Sequence, residues 1–361
     1  FKPVTANDFL PDQRKIQVFT ALQHPGSHYR SKSQNIDGYG LDLGLVCNCY
    51  RLNIMRVLSV PLGLIFFIAS ALFPGQAGEL QFFRIGTGGI AGTYYPIGGI
   101  IASAVSNPPG SRPCEQGGSC GPPGLVVIAQ SANGSVSNVR GMELGNLESG
   151  FVQSDIAYWA YTGTGTFQGQ RPFRQLRAIA NLYPESIHIV TRKGAGIRSV
   201  RDLLGKRVSL DEPGSGTLID AELVLSAYGI SKTDIQVEFT KPELAARRIR
   251  DNKLDAFFIV AGYPARAVSE LAEDTGRSLI PINGPEANRL VSQHRFFSRA
   301  DIPSGVYSGV SRVETVSVGA QWLVASTMEE EMIYQITKTL WNQNSRKLLD
   351  SGHAKGRYIT L

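Results

Sequence analysis

The sequence predicts an α/β chain of two lobes with a ligand cleft between them. From Gln81 onward, short apolar runs alternate with stretches of helical period, separated by Gly, Pro or Asn, as in a mostly parallel sheet with crossover helices. The loop Gly163-Thr-Gly-Thr-Phe-Gln-Gly-Gln-Arg-Pro172 breaks the alternation, which then resumes. Towards the C-terminus a Val-, Thr- and Ser-rich stretch, 306–325, is long enough in extended form to span both lobes.

In the first lobe, residues 82–86 read as a strand and 95–105 as the helix after it. Residues 125–130 form a second strand, followed by a helix at 136–147 with Val136, Val139 and Leu147 on roughly one face. A third short strand, 150–153, runs into an aromatic helix at 156–161. Two extended runs follow, 177–183 and 187–190, with Pro184 between them. A proline bars continuous central pairing, so the chain is expected to cross between lobes there.

The second lobe opens at 199–210 with a short helix, a glycine stop and a strand. A helix then steps through Leu218, Ala221, Leu225 and Tyr228 and ends at Gly229. Strand 235–239, helix 242–251, strand 255–260 and helix 264–273 continue the pattern, and no repeat of solenoid period is visible. The extended stretch returns the chain through 316–320 to a final helix, 329–342. Lobe I is expected from 78–180 and 316–361, and lobe II from 181–315.

Ahead of the lobes, Met55 and Arg56 precede an apolar run at 57–73 and the small-residue site Gly75-Gln76-Ala77. These are the parts of a secretory signal, with cleavage after Ala77. The run is shorter than the ~20 residues a spanning helix wants and contains Pro61. Residues 55–77 are therefore read as a cleaved signal peptide, the mature protein as periplasmic, and 1–54 as an upstream extension outside it. Cys47 and Cys49 in that extension lack the rest of a zinc site. Residues 1–77 hold seven of the 36 Lys and Arg and four of the 30 Asp and Glu, so the rest of the chain carries 29 basic against 26 acidic residues, a net +3, too mild and too evenly spread for a nucleic-acid footprint. Cys114 and Cys120 flank a short flexible loop, and an isolated pair in an oxidising compartment reads as a disulfide.

Four loops of one kind sit at strand-to-helix junctions: Gly86-Thr-Gly-Gly-Ile-Ala-Gly-Thr-Tyr-Tyr95, Ser131-Ala-Asn-Gly-Ser-Val-Ser137, Gln153-Ser-Asp155 and Pro213-Gly-Ser-Gly-Thr217. In open parallel sheets such loops gather at the carboxyl ends of the strands, where ligands bind. Each offers small residues, hydroxyl donors and a helix N-terminus whose free N–H groups favour an anion. Enclosing a carboxylate costs several kcal/mol of solvation. Each donor to it returns ~1.5–3 kcal/mol, so several together can hold an anion without an arginine.

Tyr94 and Tyr95 beside the first loop fit a pocket wall or a core ring equally well. Trp159 fits lobe core better than a ligand stack, and Asp155 fits a helix cap better than an amine ligand.

Three catalytic readings lack their parts. The first loop resembles part of a dinucleotide fingerprint, but the acidic ribose ligand about 20 residues on is missing. Gly117-Gly-Ser-Cys-Gly121 matches GxSxG without the strand before it or the helix after it. His188, His294 and His353 lie far apart, with no HExxH or CxxC, so neither a metal site nor a Ser-His-Asp site is assembled. No cofactor and no catalytic residue is expected.

Ile85-Gly-Thr-Gly-Gly-Ile-Ala-Gly-Thr-Tyr-Tyr-Pro96, Gln153-Ser-Asp-Ile-Ala-Tyr158, Leu176-Arg-Ala-Ile-Ala-Asn-Leu-Tyr183 and Asp211-Glu-Pro-Gly-Ser-Gly-Thr217 together resemble the TAXI family of solute receptors of TRAP transporters. The resemblance runs from about Leu80 to the end, with Ile90-Ala91 where relatives often have smaller or hydroxyl residues. It implies a two-lobed periplasmic binding protein of type II, not an enzyme. Such a protein captures a small carboxylate, an organic acid or amino acid such as glutamate or 2-oxoglutarate, for a sodium-coupled TRAP-type permease, and is expected as a monomer. It also implies a binding site from Thr87, Gly92, Thr93, Tyr94, Asn133, Ser135, Gln153 and Ser154 on one side. Pro213, Gly214, Ser215, Gly216, Thr217 and Gly262 come from the other. Two rival readings remain, a sensor subunit binding the same solutes and a periplasmic enzyme acting on a small acid.

Overall fold

The computed structural model of the chain describes residues 80–274 and 277–360, so the expected extension, its cysteines and the signal segment lie outside the described residues. Strands β1 (Gln81–Gly86), β2 (Leu125–Gln130) and β3 (Ser149–Gln153) are parallel, with β1 in the middle. Phe83 and Ile85 of β1 are fully buried while Phe82 is 59% exposed, the alternation of a strand packed on one face. Helices α1 (Tyr94–Val105), α2 (Ser135–Glu143) and α3 (Ser154–Thr162) follow these strands in turn. On α1 the buried Ile97, Ile101 and Val105 repeat every four residues, which puts them on one stripe against the sheet. Helix α2 stops four residues short of the expected end, yet Leu147 beyond it still packs with Val139 and Met142.

Strand β4 (Leu176–Arg192) is continuous, which corrects the expected break at Pro184. Pro184 stands opposite Gly319 of β10 (Val313–Ala325), next to a register shift, and the other edge of β4 gains a partner only from Ser186 onward. A residue without an N–H is tolerated where the ladder is already changing partners. Beyond that point β4 pairs antiparallel with β7 (Ala256–Ala261) and β8 (Arg277–Ile280). Strand β5 (Arg207–Ser209) lies parallel between β6 (Gln236–Glu238) and β7. Strand β10 runs antiparallel to β3, β4 and β9 (Ser298–Ile302).

The resulting path is β2-β1-β3-β10-β4-β7-β5-β6. In each half, three parallel strands meet one long antiparallel strand arriving from elsewhere in the chain, a mixed α/β arrangement in keeping with the two-lobed fold the sequence predicts. Helices α4 (Gly216–Ala227), α5 (Pro242–Arg250), α6 (Arg266–Asp274) and α7 (Gly284–Gln293) belong to the second half. Gly229 follows α4 with a φ of 75°, the left-handed turn a helix stop requires. Asp255, just before β7, binds Arg207 of β5 and Arg192 at the end of β4, and the Arg207 hydrogen bonds hold its carboxyl well below the usual range.

Phe83, Ile85, Phe151 and Trp322 form one core with residues from α8 (Glu330–Leu340) and α9 (Gln343–Gly352), among them Ile336, Leu340 and Leu349. Leu203, Val208, Val224, Leu225 and Phe258 centre the core of the other half. Each such side chain contributes about 1.5–3 kcal/mol of burial. Among the described residues no helix is long and apolar enough to cross a membrane.

Cys114 and Cys120 are bonded, with Cα atoms 4.8 Å apart. Their loop is fastened to the last helices: Asn344 Nδ2 donates to the carbonyls of Cys114 (3.0 Å) and Gly118 (3.1 Å), and Thr339 Oγ1 to that of Cys120 (2.9 Å). Closing so short a loop constrains the unfolded chain modestly, so the pair Cys114→Ser and Cys120→Ser is expected to lower stability by about 2 kcal/mol. Guanidinium unfolding measures this; no loss at all would show the loop to be held by Asn344 and Thr339 alone.

Candidate functional site

The loops after β1, β2, β3 and β5 meet around a cavity of about 50 Å³, room for a few water molecules. Gly88, Gly89, Gly92, Thr93 and Tyr94 line it from the first loop, Asn133, Gly134 and Ser135 from the second, and Gln153 from the end of β3. Across from them stand Asp211, Glu212, Ser215, Gly216 and Thr217, with Pro242, Ile259 and Val260, and Glu185 of β4 completes the wall.

The two sides touch. Asn133 Nδ2 donates to Pro213 O (3.1 Å) and the Ser137 N–H to Gly214 O (2.9 Å). The Gly262 N–H donates to Thr93 Oγ1 (2.9 Å) and the Ala267 N–H to Ala91 O (3.0 Å). A Cβ on Gly134 would lie 3.4 Å from Ser215 Cα, and one on Gly216 would overlap Gln153 Oε1. Any side chain at 216 would have to displace the end of the Gln153 side chain to keep this close approach. The loops of the two sides are therefore in direct contact.

Of the residues expected to bind a ligand, Gly92, Thr93, Tyr94, Asn133, Ser135, Gln153, Ser215, Gly216 and Thr217 come together on the cavity. Thr87 does not: it is fully buried, its hydroxyl donating to Gln130 O (2.8 Å), where it ties β1 to β2. Ser154 lies against Gly319 of β10 instead. Pro213, Gly214 and Gly262 sit outside the lining and contribute the cross-cleft hydrogen bonds just described.

Several lining groups have partners inside the protein. Ser135 Oγ donates to Gln153 Oε1 (3.1 Å) and Gln153 Nε2 donates to Asp220 Oδ2 (2.7 Å), so these two hold each other rather than offering free donors. Ser215 Oγ accepts from the Leu218 N–H (3.0 Å) and Thr217 Oγ1 from the Val260 N–H (3.1 Å). Tyr94 serves both readings the sequence left open. Its ring packs edge-on against Phe151 in the core, while its hydroxyl donates to Glu185 Oε2 (2.8 Å) in the cavity wall. Trp159 is buried among Phe167, Phe173 and Leu176, away from the lining.

Helices α1, α2 and α4 begin at the cavity, and the first two carry no side-chain cap hydrogen bond; in α2 the Ser137 N–H is taken by Gly214 O, and the remaining first-turn N–H groups are the ones an anion would meet. Asn138 of α2, fully buried, fixes this end of the sheet by donating to Thr87 O and Phe151 O (both 2.8 Å).

Sequence reasoning missed the acids. Glu185 is 1% exposed, and burial pushes its carboxyl up to about 8. Burial likewise raises Asp211 to about 7, and Glu212 upward, although Lys241 lies 3.4 Å from the latter. Asp211 and Glu212 lay in view inside a recognised loop, and Glu185 was flagged by nothing except its place beside Pro184 in an otherwise apolar strand. Asp155 is also corrected. Gln153 is the N-cap of α3, no side-chain cap forms, and the Asp155 carboxyl is buried inside the first turn.

Among the described residues lining the cavity there is no His, Cys, Lys or Arg, so no hydroxyl in it has an imidazole base. Among the described residues no group of three or more His, Cys, Asp or Glu side chains converges as metal ligands would.

Residues 85–361 match the NMT1-like family. The chain belongs to the NMT1-like family. The NMT1-like chain is also similar in outline to several solved structures. One is the alkanesulfonate-binding protein SsuA from Xanthomonas axonopodis pv. citri bound to MOPS, with 17% identity, TM-score 0.45 and 78% of each chain covered. Another is the aliphatic sulphonate binding protein SsuA from Escherichia coli, with 15% identity, TM-score 0.43 and 75% of this chain and 73% of that one covered. A third is PhnD1 from Prochlorococcus marinus in complex with methylphosphonate, with 11% identity, TM-score 0.45 and 74% and 89% covered.

Because a Cβ on residue 216 overlaps Gln153, Gly216→Ala is expected to hold the halves of this NMT1-like protein apart. Small-angle scattering should give a larger radius of gyration than wild type at a similar melting temperature. An unchanged radius would show that Gln153 swings aside at no cost.

Proposed function

We propose that this NMT1-like protein is an extracytoplasmic solute-binding protein that encloses a small carboxylate-bearing solute and delivers it to a membrane permease. The observation that carries this is the convergence of three helix N-termini and the glycine loops of both sides on one closable cavity. Division into lobe I (78–180 with 316–361) and lobe II (181–315) would put that cavity between the lobes. The sequence resemblance to TAXI receptors extends the proposal to a periplasmic monomer served by a TRAP-type permease.

Glu185, Asp211 and Glu212 narrow the solute class. A carboxylate at the helix ends accounts for the open N–H groups, and an ammonium beside Glu185 or Asp211 accounts for the buried acids. An amino acid brings both. A sulfonate or phosphonate such as the solved structures hold would meet three carboxyls and no cationic side chain in the lining.

A thermal-shift screen of amino acids, keto acids, dicarboxylates and alkanesulfonates is expected to find an amino acid that raises the melting temperature. Ser215→Ala together with Thr217→Ala should weaken its binding at least about tenfold, the worth of one lost hydrogen bond to a charged group. Binding through an ammonium requires ionised carboxyls, so affinity should rise with pH through about 7 and about 8, where Asp211 and Glu185 titrate. An organic acid held by the protonated carboxyls would show the opposite slope. If no acid of any class shifts the protein, the solute-binding reading is wrong.

A further inference from the structure

Two carboxylic acids from opposite sides of the cleft meet next to the cavity. Asp155 of α3 and Asp220 of α4 are both fully buried, Gln153 at the N-cap of α3 donates from Nε2 to Asp220 Oδ2 (2.7 Å), and the two carboxyls lie close enough to act on each other electrostatically. Apart from Gln153 Nε2 on Asp220 Oδ2, no protein donor of good geometry reaches either group: both oxygens of Asp155 and Oδ1 of Asp220 lack one. Two ionised carboxylates this close, without water between them, repel strongly at low dielectric, and one shared proton turns that repulsion into a hydrogen bond.

The surroundings offer no alternative neutralisation. Gln153 and, behind it, Ser135 are neutral. Glu185 from β4, itself carrying the Tyr94 hydroxyl and lying within the field of Lys355, adds negative field at the pair only once it ionises, at about pH 8. Burial is the largest influence on both acids and pushes both upward. Asp155 stands in the first turn of α3, where the helix N-terminus favours charge. The proton therefore resides on Asp220 and is donated to Asp155.

We propose that closing the cleft binds one solvent proton between Asp155 and Asp220, which makes the closed arrangement proton-linked. The proposal rests on the reading of a cleft that opens and closes, but on no particular solute, so the empty chain tests it. With both acids raised, the stabilisation is full below the ordinary carboxylate range and is lost as pH rises through the value the pair has when closed.

Scattering radius and melting temperature of the full chain without solute would be followed over about pH 5 to 9. Wild type is expected to expand and melt earlier as pH rises. Asp220→Asn, whose amide donates to Asp155 at every pH, should stay compact to higher pH, with a slope of melting temperature against pH smaller by about one proton. Glu185→Gln should keep the part of the slope that Asp220→Asn removes. Should Asp220→Asn misfold, Asp155→Asn donates in the reverse direction and gives the same readout. The proposal is overturned if the asparagine variant follows the wild-type pH profile, or if wild type shows no pH response. Neither result bears on whether a solute binds.

Discussion

Strands β4 and β10 lie antiparallel along Leu176–Ser186 and Ser317–Ala325, and, apart from β8 on the inner edge of β4 beyond Ser186, the remaining sheet is attached to their two outer edges. β3 joins β10 on one side and β7 joins β4 on the other, so both halves hang from a single hydrogen-bonded ribbon. That ribbon is the constraint on which the rest depends. It fixes which loop tips can face each other, and it places Glu185, at the point where β4 changes partners, in the wall of the cavity. The register shifts between Gly319 and Gln321 and between Trp322 and Leu323 bend the pair locally, as an irregular ladder does.

How much of this could be read from the sequence follows from what each feature needs. Buried parallel strands need apolar runs, so β1, β2, β3 and β7 were legible nearly to the residue. Strand β9 reads Ser-Arg-Ala-Asp-Ile with only Ile302 buried; it is a strand because β10 pairs with it, and no local pattern announces that. Helix α9, with Ser345 and Leu349 as its buried residues, is equally silent. The proline rule failed at Pro184 because it concerns a central strand with fixed neighbours, and β4 has none on one edge at that point.

The cavity loops were legible for a steric reason. Loops that touch across a gap need residues without bulk, and the glycines at 134 and 216 are such positions. The acids were not, because an Asp or Glu looks the same in sequence whether it faces solvent or is enclosed. Only tertiary burial distinguishes Asp220, fully enclosed, from the many carboxylates on the surface. Hydroxyl partners were hidden for a related reason: Ser135 lines the cavity as expected and Thr87 does not, but both hydroxyls donate to groups inside the protein, which no sequence pattern announces.

The core shared by Phe83, Ile85 and Phe151 is completed by Trp322, Ile336, Leu349 and Ile359. Synthesis order therefore works against early folding. The first half has its own strands soon after they leave the ribosome, but it lacks the strand and helices that cover them until the last residues appear. Domains usually fold as units once their chain is available, and here one core waits for residues as late as Leu349 and Ile359. In a chain wired in this way the second half has its core residues first, and the half that begins the fold is the one completed last.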